Sequence, residues 1–270
     1  MITLIGSRAI KHWFPDFRDV ENTDWDWHSD TDFDHQKMWP EFDVWPGQTH
    51  DKFIDPRLGA WSWGEIPTPD ELYTMKISHG YWDINGTWDK HAADIVFLQR
   101  HGAEFIPELH DILLEIWKDR YKKNPISLDK TAKEFFGDHV PKKFVHDTVH
   151  ASVAYHERPW YESYLKDGSE VLVDNDKFWA LPLESQLEAV REELYVIALE
   201  RVLIPKDYKG SPGLAYRWAL RRTAISLFKN KWATFLLLHL DELGRPDVDF
   251  VKRHKDNAHK LVLMEDVRMS

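Results

Sequence analysis

Two carboxylates near the N-terminus, Asp24 and Asp26, stand in the alternating segment Thr23-Asp24-Trp25-Asp26-Trp27. Side chains two positions apart share one face of an extended strand, so the pattern predicts both carboxylates on one face and the two tryptophans on the other. Like charges held this close repel each other, and a hard divalent cation relieves that repulsion. The segment therefore predicts a metal site, with Mg²⁺ as the expected ion.

A glycine and a serine follow the first apolar run of the chain, Ile2-Thr3-Leu4-Ile5. The run is typical of a short buried strand, and Gly6-Ser7 is typical of the tight turn that ends one. Glycine allows the backbone to approach a ligand closely, and the backbone N–H groups of such a turn bind phosphate. The turn and the carboxylates together predict a phosphate cradle that faces a metal site.

In order and residue type, Ile5-Gly6-Ser7 and Asp24-Trp25-Asp26-Trp27 resemble the signature of the nucleotidyltransferase superfamily, the fold of polymerase-beta-like enzymes. That signature is an apolar residue, Gly, Gly or Ser, a spacer, and then Asp, apolar, Asp or Glu, apolar. The spacer here, residues 8–23, is longer than is usual in the family. The stretch Gly6-Ser7-Arg8-Ala9 with His12-Trp13-Phe14-Pro15 is also similar to uncharacterised nucleotidyltransferase-like proteins of tailed phages, and this similarity extends along most of the chain.

The resemblance implies an activity: Mg²⁺-dependent transfer of a nucleoside monophosphate from a nucleoside triphosphate to an acceptor hydroxyl, with release of pyrophosphate. It implies that Gly6 and Ser7 hold the terminal phosphates and that Arg8 adds positive charge against them. It also implies that Asp24 and Asp26 hold the metal. The base and the acceptor stay open, and the acceptor could be a small molecule, a nucleic-acid end or a protein.

In this superfamily a third carboxylate comes from a later strand and completes the metal site. The segment Glu41-Phe42-Asp43-Val44-Trp45 alternates like a short strand and ends at Pro46-Gly47. Asp43 is therefore the expected third ligand, with Glu65 as the second candidate.

Two helices are expected next in the chain. Thr68-Pro69-Asp70-Glu71 is typical of a helix start, and Lys76 and His79 then share a flank with an apolar face. A second helix is expected from about Trp88 to Arg100. By resemblance, helices at this point bring basic and acidic residues to the nucleotide, and the residues that fit are Lys76, Lys90, His91 and Asp94. The alternative is an ordinary amphipathic helix pair with solvated charges.

The predicted fold class is α+β. A small N-terminal mixed β-sheet, in a nucleotidyltransferase-like domain of residues 1–105, is expected to carry the site. The remainder, 106–270, is expected to be a larger and mostly helical domain, since its apolar residues recur at helical spacing around 107–120, 187–202 and 216–240.

A second cluster favours a different function. His146 and His150 stand four residues apart, the spacing that places two imidazoles on one helix face for a shared metal, and Asp147 lies between them. This set would suit a helical metal-dependent hydrolase. A third hypothesis is a catalytically inactive nucleotidyltransferase fold that acts as a binding protein.

Composition narrows the protein class. The formal net charge of −11 over 270 residues argues against broad nonspecific wrapping of nucleic acid, which requires a basic surface. The chain has no cysteine, which excludes disulfides and thiolate zinc sites and favours a reducing cytoplasm. No apolar run approaches the roughly 20 residues that span a bilayer, so no membrane association is expected.

Overall fold

The computed structural model describes residues 2–34, 49–82, 86–121, 179–198, 211–226 and 231–245. Contacts between Cα atoms divide the chain into two compact units, Met1–Pro125 and Ile126–Ser270. A small mixed sheet lies in the first unit, and the described remainder of the chain is mostly helical. The α+β fold class expected from the sequence is confirmed.

Three strands form the sheet: β1 (Ile2–Ile5), β2 (Trp25–Ser29) and β3 (His50–Ile54), in the order β1-β2-β3. Strand β2 is central, and it pairs antiparallel with β1 and parallel with β3. The register places Ile5 opposite Asp26 on one side and Asp51 opposite Asp26 on the other. One end of β1 and the starts of β2 and β3 therefore meet at the same edge region of the sheet.

The two faces of the sheet carry different side chains. Trp25 and Trp27 stack on each other with ring centroids 5.9 Å apart, and the His50 ring stacks 6.4 Å from each of them. Because side chains alternate along a strand, Asp26 and His28 point to the opposite face. There the His28 ring lies 5.0 Å from that of Phe53 on β3. The predicted separation of Asp26 from the tryptophans is confirmed.

Two helices are fixed by their first residues. Helix α1 (Gly6–Trp13) begins directly after β1, so the strand passes into the helix without a loop. Helix α2 (Pro69–His79) starts with a complete capping box, in which Thr68 accepts from the Glu71 N–H and Glu71 accepts from the Thr68 N–H. Such a box satisfies two backbone donors that would otherwise lack partners, so the predicted helix start is confirmed.

Helix α2 is the centre of the helical layer in the first unit. It contacts α1, α3 (Trp88–Arg100) and α4 (Pro107–Arg120). Its Leu72 and Ile77 are buried, as are Leu98 of α3 and Leu113 of α4. A 3₁₀ turn, Pro56–Ala60, follows β3 and also packs against α4. Helix α4 thus belongs to the unit that contains the sheet.

The second unit is described through four helices: α5 (Leu183–Ala198), α6 (Pro212–Ser226), α7 (Lys231–Leu238) and α8 (Leu240–Leu243). Helix α6 packs against α5 and α7, and the Tyr216 hydroxyl donates to the Leu243 carbonyl over 2.8 Å. The apolar core here includes the buried residues Val190, Leu194, Leu220, Trp232 and Leu236. Across the described ranges, no helix combines the length and apolarity needed to cross a membrane.

Candidate functional site

A cavity of about 170 Å³ lies in the first unit, between the sheet and helices α2, α3 and α4. Gly6 and two carboxylates, Asp26 and Asp51, line one part of it. Cationic and aromatic side chains line the rest, among them Lys52, Phe53, Lys76, Trp117, Arg120 and Tyr121. Three histidines complete the wall: His28, His79 and His91.

Gly6 is required at its position for two reasons. Its φ of +71° lies in the left-handed region that L side chains rarely adopt. A Cβ on Gly6 would also lie 2.1 Å from Oδ2 of Asp26, which is far inside van der Waals contact. The start of α1 therefore lies directly against the Asp26 carboxylate. The positive end of a helix and an acidic group thus meet at the cavity.

Asp26 and Asp51 are direct neighbours across the β2–β3 pair, and both line the cavity. Burial raises the pKa of Asp26 to about 6, and the charges of Asp51 and Asp24 raise it further, while Lys76 and Lys90 oppose them. A carboxylate whose ionisation is disfavoured in this way gains when a cation enters the cavity.

Asp24 and Arg8 flank this pair without lining the cavity. Asp24 is exposed just before β2, where its charge still reaches Asp26. The Arg8 guanidinium donates to the backbone carbonyls of Glu21 and Thr23 and lies 4.4 Å over the Trp25 ring. These contacts hold the segment that leads into β2. Phosphate binding by Arg8 stays a prediction.

Ser7 begins a buried polar chain behind the cavity. Its hydroxyl accepts from Arg18, and the Arg18 Nε lies 3.2 Å from Oδ1 of Asp94. Oδ2 of Asp94 lies 2.8 Å from Nζ of Lys76, which lines the cavity. Burial opposes ionisation of Asp94, but Lys76 and Arg18 outweigh it and lower the pKa. Ser7 and Asp94 thus touch the site through cations rather than by lining it.

The helix-borne basic residues occupy different depths. Lys76 is only 7% exposed and is held by Asp94, whereas Lys90 is exposed and acts on the site through its charge, which lowers the Asp26 pKa. The predicted flank of α2 is confirmed, since Lys76 and His79 line the cavity together with Leu72 and Met75.

Among the described residues, no three side chains of His, Cys, Asp or Glu are arranged to hold a metal ion by themselves. Mg²⁺ in phosphate-transfer sites is usually bound by one or two carboxylates together with substrate phosphates and waters. Asp26 and Asp51 supply two neighbouring carboxylates of that kind, so the donor set fits Mg²⁺ only in company with a phosphate ligand.

The sequence-based candidates have different outcomes. Gly6, Asp26 and Lys76 come together at the cavity, with Asp24, Ser7, Lys90 and Asp94 next to them. Asp43 and the cluster His146, Asp147 and His150 lie outside the described residues. Glu65 does not line the cavity, and its backbone carbonyl accepts from Leu4 and Thr3 at the β1 edge.

Asp51 is the site residue that the sequence reasoning missed. A signal for it existed in the segment His50-Asp51-Lys52-Phe53-Ile54, which combines β-branched and aromatic residues with an alternating acidic position. The pairing of β3 beside β2, which the local pattern does not contain, is what brings Asp51 to Asp26.

Comparison with known protein families gives one match. The family model described as Domain of unknown function (DUF7275) matches residues 71–259, well over half of the chain. This chain belongs to that family. No curated protein and no solved structure gave a match.

The DUF7275 match divides the site. It begins at Glu71 near the start of α2, so it includes Lys76, His91 and Asp94 but not the three strands. The helical wall of the cavity therefore falls within the family match, and the carboxylates Asp26 and Asp51 fall before it.

Proposed function

We propose that this protein is a Mg²⁺-dependent nucleotidyltransferase, which moves a nucleoside monophosphate from a nucleoside triphosphate to an acceptor hydroxyl. The observation that carries the proposal is the neighbouring pair Asp26 and Asp51 in a cavity whose edge is the Gly6 turn. The resemblance to nucleotidyltransferases calls for a third carboxylate from a later strand, and Asp51 on β3 meets that requirement.

The roles follow from position and charge. The start of α1 at Gly6 offers backbone N–H groups to the phosphates. Asp26 and Asp51 hold Mg²⁺ against the phosphate oxygens, with Asp24 adding negative charge from the rim. The bound metal neutralises charge that builds up on the transferred group. Lys76 supplies positive charge from the opposite wall, and Asp94 keeps its ammonium in place.

The test is thermal unfolding of the full chain with each nucleoside triphosphate, with and without Mg²⁺. A ligand that binds the folded state at 100 times its dissociation constant adds about 2.7 kcal/mol to the free energy of unfolding. We expect such a rise for at least one triphosphate, only when Mg²⁺ is present. Asp26→Asn and Asp51→Asn are each expected to abolish it.

Asp111→Asn is the matched control, because Asp111 is an exposed carboxylate of α4 outside the cavity lining, with 85% of its side chain accessible. It should leave the rise intact. Release of pyrophosphate by the wild type, lost in Asp26→Asn, would establish transfer rather than binding alone. A Mg²⁺-dependent rise without any pyrophosphate release would favour the inactive binding protein, and no rise with any triphosphate would refute the proposed site.

A further inference from the structure

Three histidines line the cavity from different elements. His28 comes from β2, His79 from the end of α2 and His91 from the first half of α3. His28 has no exposed surface. The His79 ring stands 5.7 Å from that of His91 and 4.0 Å from that of Trp117. The proposed phosphate chemistry assigns no task to any of the three.

Four of their ring nitrogens lack partners. Within the described part of the chain, Nδ1 and Nε2 of His28, Nε2 of His79 and Nδ1 of His91 are buried without a hydrogen bond. Buried polar atoms in native proteins are nearly always bonded, so each such orphan calls for an explanation. Because all three rings line one cavity, a single molecule inside it is in reach of them.

The shape and character of the wall indicate a flat ring. Aromatic side chains surround the histidines, with the Trp117 ring 4.6 Å from Phe53 and 5.9 Å from Tyr121. Cavities of roughly 150 Å³ accept a benzene ring, and this one measures about 170 Å³. A planar ring fits such a space, and polar atoms on its edge would meet the imidazoles.

The charges around the histidines favour an uncharged ring. Burial lowers the pKa of His28 and of His91 to about 3 each, so the imidazoles are neutral and each offers one donor and one acceptor. An anion here would lack a free counter-ion, since Asp94 already holds Lys76. Lys76 and Arg120, both in the lining, repel a cation.

We propose that the part of the cavity between His28, His79 and His91 binds an uncharged nitrogen heterocycle, with the imidazoles reading the donor and acceptor pattern of its edge. The inference rests on the proposed function in one respect: it takes this heterocycle to be the base of the donor nucleotide. The three histidines are then the residues that select the base, while Asp26 and Asp51 hold the phosphates through the metal.

The experiment titrates the full chain with adenosine, guanosine, cytidine and uridine by calorimetry, without metal and without phosphate. We expect one nucleoside to bind more tightly than the other three. His28→Phe, His79→Phe and His91→Phe keep a ring but remove the nitrogens, and each should weaken binding by about fivefold to tenfold. His12→Phe is the matched control, since His12 is exposed on α1 and does not line the cavity.

His91 is only half-buried, so His91→Phe keeps the test valid if the fully buried His28 does not tolerate the change; circular dichroism verifies the fold of each variant. The proposal is overturned if no nucleoside binds, or if the folded histidine variants bind as the wild type does. Binding of inorganic phosphate at the histidines, seen as competition that strengthens on acidification, would also overturn it. Nucleoside binding that survives Asp26→Asn, with no Mg²⁺-triphosphate effect, would sustain this inference while refuting nucleotidyl transfer.

Discussion

At the scale of single residues, the site depends on how closely Gly6 and Asp26 approach each other. Replacing Gly6 by Ala imposes a left-handed backbone on an L residue and drives a methyl group into the Asp26 carboxylate. We expect Gly6→Ala to lower the free energy of unfolding by roughly 2–4 kcal/mol, from strain and overpacking together. Urea denaturation measures this loss.

Gly102→Ala is the matched control for that change. Gly102 has a φ of +77°, close to that of Gly6, but no atom lies within 4 Å of where its Cβ would be. It should lose only the strain contribution, roughly 1 kcal/mol. Adding Asp26→Ala to Gly6→Ala should bring the loss down towards the Gly102→Ala value. Equal losses for the two glycine variants would show that contact with Asp26 does not matter.

The raised pKa of Asp26 predicts a pH dependence of stability. The folded-state pKa of about 6 lies above the ordinary value of 3.8, so the folded protein binds the proton more tightly than the unfolded chain does. The stability that comes from this difference is present below pH 3.8 and is lost as the pH rises through 6. By pH 7 the ionised carboxylate disfavours folding by up to roughly 3 kcal/mol.

Asp26→Asn removes that ionisation. We expect the variant to gain stability relative to wild type between pH 4 and pH 7, with the gain levelling off above the folded-state pKa. Denaturant unfolding at several pH values measures the difference. A stability difference that stays constant from pH 4 to pH 7 would mean that Asp26 ionises normally. Mg²⁺ with a bound triphosphate should reduce the gain, because the cation favours the ionised carboxylate.

At the scale of secondary-structure elements, one buried carboxylate joins three segments of the first unit. Asp94 of α3 is 1% exposed and pairs with Lys76 of α2 and with Arg18 in the segment between α1 and β2. Breaking a buried ion pair on one side leaves a charge without compensation. The orientation of the helices around the cavity therefore depends on this residue.

Asp94→Asn should destabilise the protein by about 3–5 kcal/mol, because Lys76 and Arg18 lose their shared counter-charge. Chemical denaturation gives the loss. The matched control is Asp32→Asn, which breaks the ion pair with Lys52 at a side chain that is 80% exposed. The control should lose far less, since surface ion pairs contribute little. Comparable losses in the two variants would contradict the structural role of Asp94.

At the scale of the whole molecule, the units divide after Pro125 rather than directly after the site. Helix α4 packs on α2, and its Trp117 contacts Phe53 and His28 of the sheet. The sequence analysis placed this helix in the C-terminal domain, with a boundary at residue 105. The contacts of α4 argue that the sheet layer needs it.

Two fragments test that boundary. We expect residues 1–125 to unfold cooperatively on heating, since the fragment keeps α4 over the apolar face of the sheet. Residues 1–105 should lack a cooperative transition, because Phe53, Ile77 and His28 would lose their cover. Circular dichroism and differential scanning calorimetry measure both. A fragment 1–105 as stable as 1–125 would support the earlier boundary.

Local patterns in the sequence determined much of this protein. Alternation at Asp24–Trp27 decided which side chains leave the sheet together, and Thr68-Pro69-Asp70-Glu71 decided where α2 begins. Gly6 could be predicted at a turn because glycine alone tolerates that backbone. These features depend on neighbours within one turn or one strand, so the chain order already contains them.

Only the tertiary structure decided which distant residues meet. The pairing of β3 with β2 brought Asp51 beside Asp26, and the packing of α2, α3 and α4 on the sheet assembled His28, His79 and His91 around one cavity. No local spacing encodes such contacts, since they depend on strand order and helix docking across tens of residues. The sequence alone therefore indicated a phosphate and metal chemistry, while the third carboxylate and the histidine wall required the fold.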